Sequence, residues 1–197
     1  MKVLFVVGPH ASGKTYSIKK SVSESNEKFS IIDTGPMMRE FHKNSMSDLT
    51  IGEWVQELEE IFGKSITSKM ITDDIKRRVD IEQNENVIII GYRTFDSIKY
   101  LVDNMGIEEF KVLYVDAPIS LLFNNYCERE GNKKTFNEFE YYINEEERSG
   151  LVKLKAYAMC GSEKFEYFYK KSNVETFDNS IKEFFQKGIR KELKYNE

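Results

Sequence analysis

The 197-residue chain predicts an α/β fold in which a five-stranded parallel sheet is flanked by helices. Short apolar runs alternate with longer segments of helical period, which is the pattern of β/α units around a parallel sheet. The run Val87–Ile90 is unbroken and apolar, as expected of a strand covered on both faces. Because this length suits one sizeable core, we expect a single domain over 1–197 with inserted regions.

The elements follow from apolar periodicity. Short runs rich in apolar and aromatic residues predict the strands Lys2–Val7, Phe29–Asp33, Asn86–Ile90, Phe110–Asp116 and Phe165–Tyr169. Longer stretches of helical period predict the helices Lys14–Glu24, Met37–Lys43, Ile51–Phe62, Ser65–Gln83, Phe95–Asn104, Ile119–Glu130, Phe136–Met159 and Ser180–Lys194.

Two connections are longer than a single crossover helix requires. About fifty residues separate the second and third strands, which predicts an insertion at about 36–84. A second, strongly charged insertion is expected at about 128–150, within the stretch CEREGNKKTFNEFEYYINEEERSG.

Composition excludes several kinds of partner. A net charge of −4 and a pI near 5.5 provide no basic field, so polymeric nucleic acid is not expected to bind. The apolar run after Met1 is too short for a signal-peptide core or a membrane span. These features predict a cytoplasmic protein without a membrane partner, and they leave the oligomeric state open.

The first strand runs into GPHASGKT, Gly8–Thr15, which has the form G-x-x-x-x-G-K-[ST]. A glycine-rich loop between a strand and a helix directs backbone N–H groups and the helix N-terminus at a phosphate. Lys14 can reach the β and γ phosphates, and the Thr15 hydroxyl can bind Mg²⁺. The residues expected to contact the nucleotide are Gly8, Ala11, Ser12, Gly13, Lys14, Thr15 and Tyr16.

Candidate side chains also follow the next two strands. Asp33 ends the second strand in IIDTGPMMREF, and Arg39 lies one turn into the following helix. Arg93 follows the third strand in IIIGYRT. Since the carboxyl ends of parallel strands open onto one crevice, these groups should lie near the phosphate loop. Two guanidiniums there would clamp a phosphate monoester; alternatively, Asp33 is a helix cap and Arg39 a surface residue.

The order of these motifs resembles the nucleoside monophosphate kinase superfamily, which includes adenylate, cytidylate and dephospho-coenzyme A kinases. DTGPMMRE is similar to the DTG-x-x-x-R of cytidylate kinases and the G-x-x-x-R of adenylate kinases. GYRT resembles D-G-[FY]-P-R-T without its proline, and more closely the D-G-x-R of the archaeal dephospho-coenzyme A kinase-like branch. The stretch from VLYVDAP to KLKAYA is similar in layout to the fourth strand, lid and following helix of that branch.

The resemblance implies a P-loop NTPase fold with ATP and Mg²⁺ at the phosphate loop. It implies an acceptor under the first insertion and a lid, formed by the second, that carries arginines to the transferring group. By position, Lys14 and Arg129 would be catalytic, with Arg148 a weaker lid candidate. Arg39 and Arg93 would bind the acceptor.

One position departs from the family pattern. Many members end the third strand with an aspartate that holds the water shell of Mg²⁺, and this chain has Ile90 there. Because Mg²⁺ needs only one or two carboxylates in such sites, Asp33 is the expected substitute. Asp33 could also accept a proton from an acceptor hydroxyl. Asp116, which ends the fourth strand, is a second metal candidate, although a loop-capping role suits it better.

These features predict an ATP-dependent phosphotransferase that acts on a small phosphorylated acceptor, most simply a (deoxy)nucleoside monophosphate. Transfer to an alcohol, as in dephospho-coenzyme A kinase or another metabolite kinase, is an alternative. A nucleotide-binding regulatory module with weak catalysis is the other, because Ile90 replaces the expected acid.

Overall fold

A computed structural model describes the backbone of residues 1–25, 28–78 and 86–192, and the side chains among them up to residue 186. Five parallel strands form one sheet in the order β2-β3-β1-β4-β5. The strands are β1 (Lys2–Val7), β2 (Ser30–Asp33), β3 (Asn86–Ile90), β4 (Glu109–Asp116) and β5 (Phe165–Tyr169). Each predicted strand is confirmed to within one residue at either end.

Helices flank this sheet, which confirms the predicted α/β class. Along the described residues they are α1 (Lys14–Ser23), α2 (Thr34–Ser45), α3 (Ile51–Phe62), α4 (Ile66–Arg78), α5 (Phe95–Met105), α6 (Ile119–Glu130), α7 (Phe136–Glu146), α8 (Val152–Cys160) and α9 (Asp178–Glu192). A π-helical turn, Glu147–Leu151, joins α7 to α8. The predicted helical residues 79–83 and 193–194 lie outside the described residues.

Both faces of the sheet are covered, as the apolar runs predict. Phe5 belongs to an apolar layer with Ile98 of α5 and other residues of α4, α5 and α8. Its neighbour Leu4 faces the opposite layer, which includes Ile18 of α1 and Phe185 of α9. Because successive strand residues point to opposite faces, β1 is buried from Val3 to Val7 and fixes the loop that follows it.

Helix α2 starts three residues before the predicted Met37. The side chain of Asp33 accepts a hydrogen bond from the Gly35 N–H at 3.0 Å and caps the helix. An aspartate in this role satisfies a backbone donor at the helix start, which extends the helix towards the strand.

The prediction of a single helix over Phe136–Met159 is wrong, because the α-helix is interrupted by the π-helical turn, in which Gly150 has a non-helical backbone conformation. Gly150 has a φ of 148°, and a Cβ placed there would lie 2.6 Å from Thr94 Cγ2 and 2.8 Å from the Arg93 carbonyl oxygen. Only glycine permits both this backbone conformation and this close approach. The π-helical turn therefore brings the end of α7 against the loop after β3, as π-bulges often do near functional sites.

Gly150→Ala is expected to lower the free energy of unfolding by about 2–3 kcal/mol, because the added methyl meets Arg93 and Thr94 in a strained backbone. Chemical denaturation measures the change. Gly161→Ala is the matched control, since Gly161 also has a positive φ (66°) but has no atom within 4 Å of the added Cβ. Equal losses in the two variants would show that the contact with the loop after β3 contributes nothing.

Candidate functional site

The loop between β1 and α1 depends on two glycines. Gly8 has a φ of 138°, and a Cβ on it would lie 2.1 Å from the Val115 carbonyl oxygen. Gly13 has a φ of 75°, and a Cβ there would lie 2.7 Å from the Nζ of Lys170, which is 1% exposed. The loop is thus held between the end of β4 and a lysine that follows β5, and Ala11 also has a positive φ of 61°.

The ammonium of Lys14 lies inside this loop. Its Nζ donates to the carbonyl oxygens of Gly8 at 2.9 Å and Pro9 at 2.7 Å, and to the Ser12 Oγ at 3.1 Å. The lysine therefore curls over the backbone that precedes it and presents a positive charge at the start of α1.

Burial lowers the pKa of Lys14 to about 8. The Glu146 carboxylate opposes this shift and raises the pKa, as does Asp33 more weakly. The guanidiniums of Arg93 and Arg129 lower it further. Lys14 is still largely protonated at neutral pH, in a setting where several cations act on one another.

Thr15 and Asp33 lie side by side at the start of α1. The Thr15 hydroxyl donates to Asp33 Oδ2 at 2.9 Å, while Oδ1 of the same carboxylate accepts from the Gly35 N–H. Asp33 pairs in register with Ile90 on the neighbouring strand β3. The carboxylate that bonds Thr15 is thus on β2, one strand away from the position of Ile90 on β3.

Asp116 lies in a different setting. Its Oδ2 accepts from the Tyr167 hydroxyl at 2.7 Å and from Lys155 Nζ at 2.8 Å, and its Oδ1 accepts from the Ala117 N–H at 2.9 Å. The carboxylate is buried, with all these partners in place. It caps the loop after β4, as the sequence favours.

Glu146, at the end of α7, is a site residue that the sequence interpretation did not include. Its Oε2 accepts from the backbone N–H of His10 at 2.6 Å, and its Oε1 pairs with Arg93 Nη2 at 2.8 Å. Its side chain is only 3% exposed. A signal was present, because Glu146 continues the buried stripe of Phe139 and Ile143 on α7 at helical spacing.

His10, in the middle of the loop Gly8–Thr15, connects Glu146 to Arg129. Its Nε2 contacts the Arg129 guanidinium, and its ring packs edge-on against Tyr142. Burial, together with the charges of Arg129, Lys14 and Arg93, lowers the pKa of His10 to about 4. The imidazole is therefore neutral at physiological pH, and its Nε2 can accept from Arg129.

The other predicted residues lie further out. Arg39 is exposed, with its Nη1 3.6 Å from a Cβ placed on Gly35, and within the described part of the chain it has no ion pair. Arg148 is 75% exposed and pairs with Glu145 at 2.8 Å. Tyr16 is 60% exposed. The structure thus gathers Lys14, Arg93 and Arg129 around His10 and leaves Arg148 at the surface.

No group of three or more His, Cys, Asp or Glu side chains that could hold a metal ion occurs in the described ranges. The pair of Thr15 and Asp33 fits Mg²⁺ nonetheless, since Mg²⁺ keeps several waters and takes one or two protein oxygens beside substrate phosphates. Within the same ranges, every helix is too short or too polar to cross a membrane.

Comparison with known proteins gives distant similarities. Adenylate kinase of Orientia tsutsugamushi strain Boryong is 29% identical over 115 residues, which are 58% of this chain and 51% of that protein. Adenylate kinase of strain Ikeda is 28% identical over the same length, covering 58% and 50%. The chain thus spans about half the length of these relatives. No protein-family model matches the chain.

The fold is also similar to that of a solved structure. A crystal structure of an uncharacterized protein from Eubacterium ventriosum ATCC 27560 has a TM-score of 0.51 and 12% identity, and the match covers 96% of this chain and 99% of that one. At this identity the likeness concerns the fold alone. Together, the comparisons show a distant sequence similarity to adenylate kinases over part of the chain.

Proposed function

We propose that this protein has a P-loop kinase fold and transfers the γ-phosphate of ATP to a small phosphorylated acceptor, most simply a (deoxy)nucleoside monophosphate. One observation carries the proposal: the ammonium of Lys14 lies in a glycine-dependent loop at the start of α1, with Arg93 and Arg129 beside it. A backbone loop of this kind with three cations suits a polyphosphate.

In the proposed reaction, the bond between the γ-phosphorus and the β,γ-bridging oxygen breaks, and a bond to an oxygen of the acceptor phosphate forms. ADP leaves with the bridging oxygen. Such transfer depends on positioning and charge neutralisation, so Lys14 and Arg129 stabilise charge on the transferring group. Backbone N–H groups of the loop would also bind the nucleotide; they are those of Gly8, Ala11, Ser12, Gly13 and Tyr16.

Thr15 and Asp33 are the residues that would hold Mg²⁺. The hydrogen bond between them brings one hydroxyl and one carboxylate oxygen together beside the loop. When bound, Mg²⁺ neutralises phosphate charge and orients the polyphosphate. Both carboxylate oxygens of Asp33 accept hydrogen bonds, one from the Thr15 hydroxyl and one from the Gly35 N–H. This arrangement suits a residue that orders the site better than it suits a general base that takes a proton from an alcohol.

The acceptor phosphate is assigned to Arg39 and Arg93, which follow neighbouring strands. Arg39 has a free guanidinium within the described residues, beside the Gly35 turn that Asp33 caps. In this proposal the chain is a single domain. The region of about 36–84 encloses the acceptor, and the region of about 128–150 is the lid. Arg148 is the weaker lid arginine, because it would have to leave Glu145 to reach the transferring group.

A coupled assay of ADP release tests the proposal with a panel of nucleoside monophosphates, dephospho-coenzyme A and no acceptor. Chromatography of the phosphorylated product confirms transfer. We expect ADP release to require one of the monophosphates. ATP hydrolysis that ignores every acceptor would overturn the kinase proposal, and turnover of dephospho-coenzyme A alone would move the acceptor to an alcohol.

Arg93→Ala is expected to raise the KM for the acceptor about tenfold or more, and the KM for ATP by less, because a charge-assisted contact to the acceptor phosphate is lost. Initial rates with each substrate varied separately measure both constants. Lys99→Ala is the control, since Lys99 is a 59% exposed cation on α5, outside both inserted regions. A larger effect on the KM for ATP would assign Arg93 to the donor.

A further inference from the structure

Glu146 raises a question that the proposed reaction does not answer. Its carboxylate is 3% exposed and contacts the loop Gly8–Thr15, where positive groups would be needed to bind an incoming phosphate. Its two oxygens take the His10 N–H and the Arg93 guanidinium. A buried carboxylate persists only when such partners compensate for its lost hydration.

The contacts of Glu146 are those that an anionic ligand would make. The His10 N–H belongs to the loop Gly8–Thr15, whose backbone donors are the part of the motif that binds phosphate. Arg93 adds a guanidinium donor. Lys14 lies close enough for the carboxylate to raise the pKa of its ammonium. Glu146 therefore has a loop donor, an arginine and a lysine around one negative group.

We propose that Glu146 is an internal anion that occupies part of the phosphate-binding site and must leave when the terminal phosphate of a nucleotide enters. This rests on the proposed function of the loop. It makes Glu146 a residue that selects between ligands: a polyphosphate with enough charge displaces the carboxylate, whereas a weakly charged ligand does not.

The local structure allows this exchange. Glu146 is the last residue of α7, directly before the π-helical turn Glu147–Leu151. In this turn, Gly150 packs against the loop after β3, which contains Arg93. One short segment therefore holds Glu146 beside Arg93. Single π-helical turns of this kind inside helices occur frequently at functional sites.

Departure of the carboxylate also frees Arg93. In the described structure Glu146 neutralises this guanidinium. An entering phosphate that takes the His10 N–H from Glu146 would release Arg93 for the acceptor phosphate assigned to it, so one exchange of anions prepares both parts of the site.

The test compares Glu146→Gln with wild type in calorimetric titrations of pyrophosphate and a nonhydrolysable ATP analogue. We expect the variant to bind both about tenfold more tightly, because the competing charge is gone while the side-chain shape is kept. Glu140→Gln is the matched control, since it removes the same charge from an exposed residue of the same helix α7. It should bind like wild type.

Affinity in Glu146→Gln that equals or falls below that of Glu140→Gln would overturn the inference. If the glutamine variant does not fold, Glu146→Asp takes its place, because a side chain one methylene shorter does not reach the His10 N–H and should also tighten binding. The proposed function fails separately: tighter binding in the variant with no phosphoryl transfer by wild type would keep Glu146 as the competing anion and remove the kinase assignment.

Discussion

Lys14→Ala is expected to reduce phosphoryl transfer by at least about 10³-fold, the scale on which single preorganised charges act in such transfers. The reason is the position of the ammonium, which donates to the carbonyl oxygens of Gly8 and Pro9 within the loop. Without Lys14, the negative charge on the transferring phosphate is no longer stabilised by the ammonium that these hydrogen bonds hold in place. Rates of ADP release at saturating ATP and acceptor measure the effect.

The control for this variant is Lys19→Ala, because Lys19 is an exposed lysine on the same helix α1. Lys14→Met, which retains most of the side-chain volume, separates loss of charge from collapse of the loop. We expect the methionine and alanine variants to lose activity alike while their melting temperatures stay close to that of wild type. A Lys14 variant with near-full turnover would contradict the role assigned to the loop.

The sequence predicted the strands because their signals are local. Apolar runs such as Val87–Ile90 bury both faces wherever the neighbouring strands lie, and Gly8 and Gly13 mark a turn that few other residues could form. The association of Thr15 with Asp33 was predictable for a similar reason. Thr15 follows β1 and Asp33 ends β2, and parallel strands have their carboxyl ends at the same edge of the sheet.

The sequence gives a weak signal that Glu146 is buried, from its helical spacing with Phe139 and Ile143, but it could not supply the partners of this carboxylate. The run NEEER is typical of a solvated helix face, and only the fold decides which of its acids turns inward. The deciding contact is between Gly150 and the loop after β3, which are far apart in the chain. A glycine within a helical pattern is a sequence signal for a close approach, but it does not name the partner. The buried Lys170 beside Gly13 was missed for the same reason.

Asp33→Asn is expected to raise the Mg²⁺ concentration needed for half-maximal rate and to lower the maximal rate about 10²-fold, because a carboxylate binds Mg²⁺ far better than an amide. The variant should fold, since the amide oxygen can still accept from the Gly35 N–H at the start of α2. Rates measured across a series of Mg²⁺ concentrations at fixed ATP give both quantities.

Asp116→Asn provides the comparison that identifies the metal carboxylate. Asp116 bonds Lys155, Tyr167 and the Ala117 N–H, so loss of its charge should lower the free energy of unfolding by about 1–3 kcal/mol. Its Mg²⁺ dependence should stay that of wild type. The two variants remove the same charge from the ends of β2 and β4, two strands of one sheet, so a changed Mg²⁺ requirement in Asp116→Asn alone would transfer the metal role from Asp33 to Asp116. A changed requirement in Asp33→Asn alone would explain how the site works with Ile90 in place of the usual acid, because the carboxylate would then be supplied by the adjacent strand.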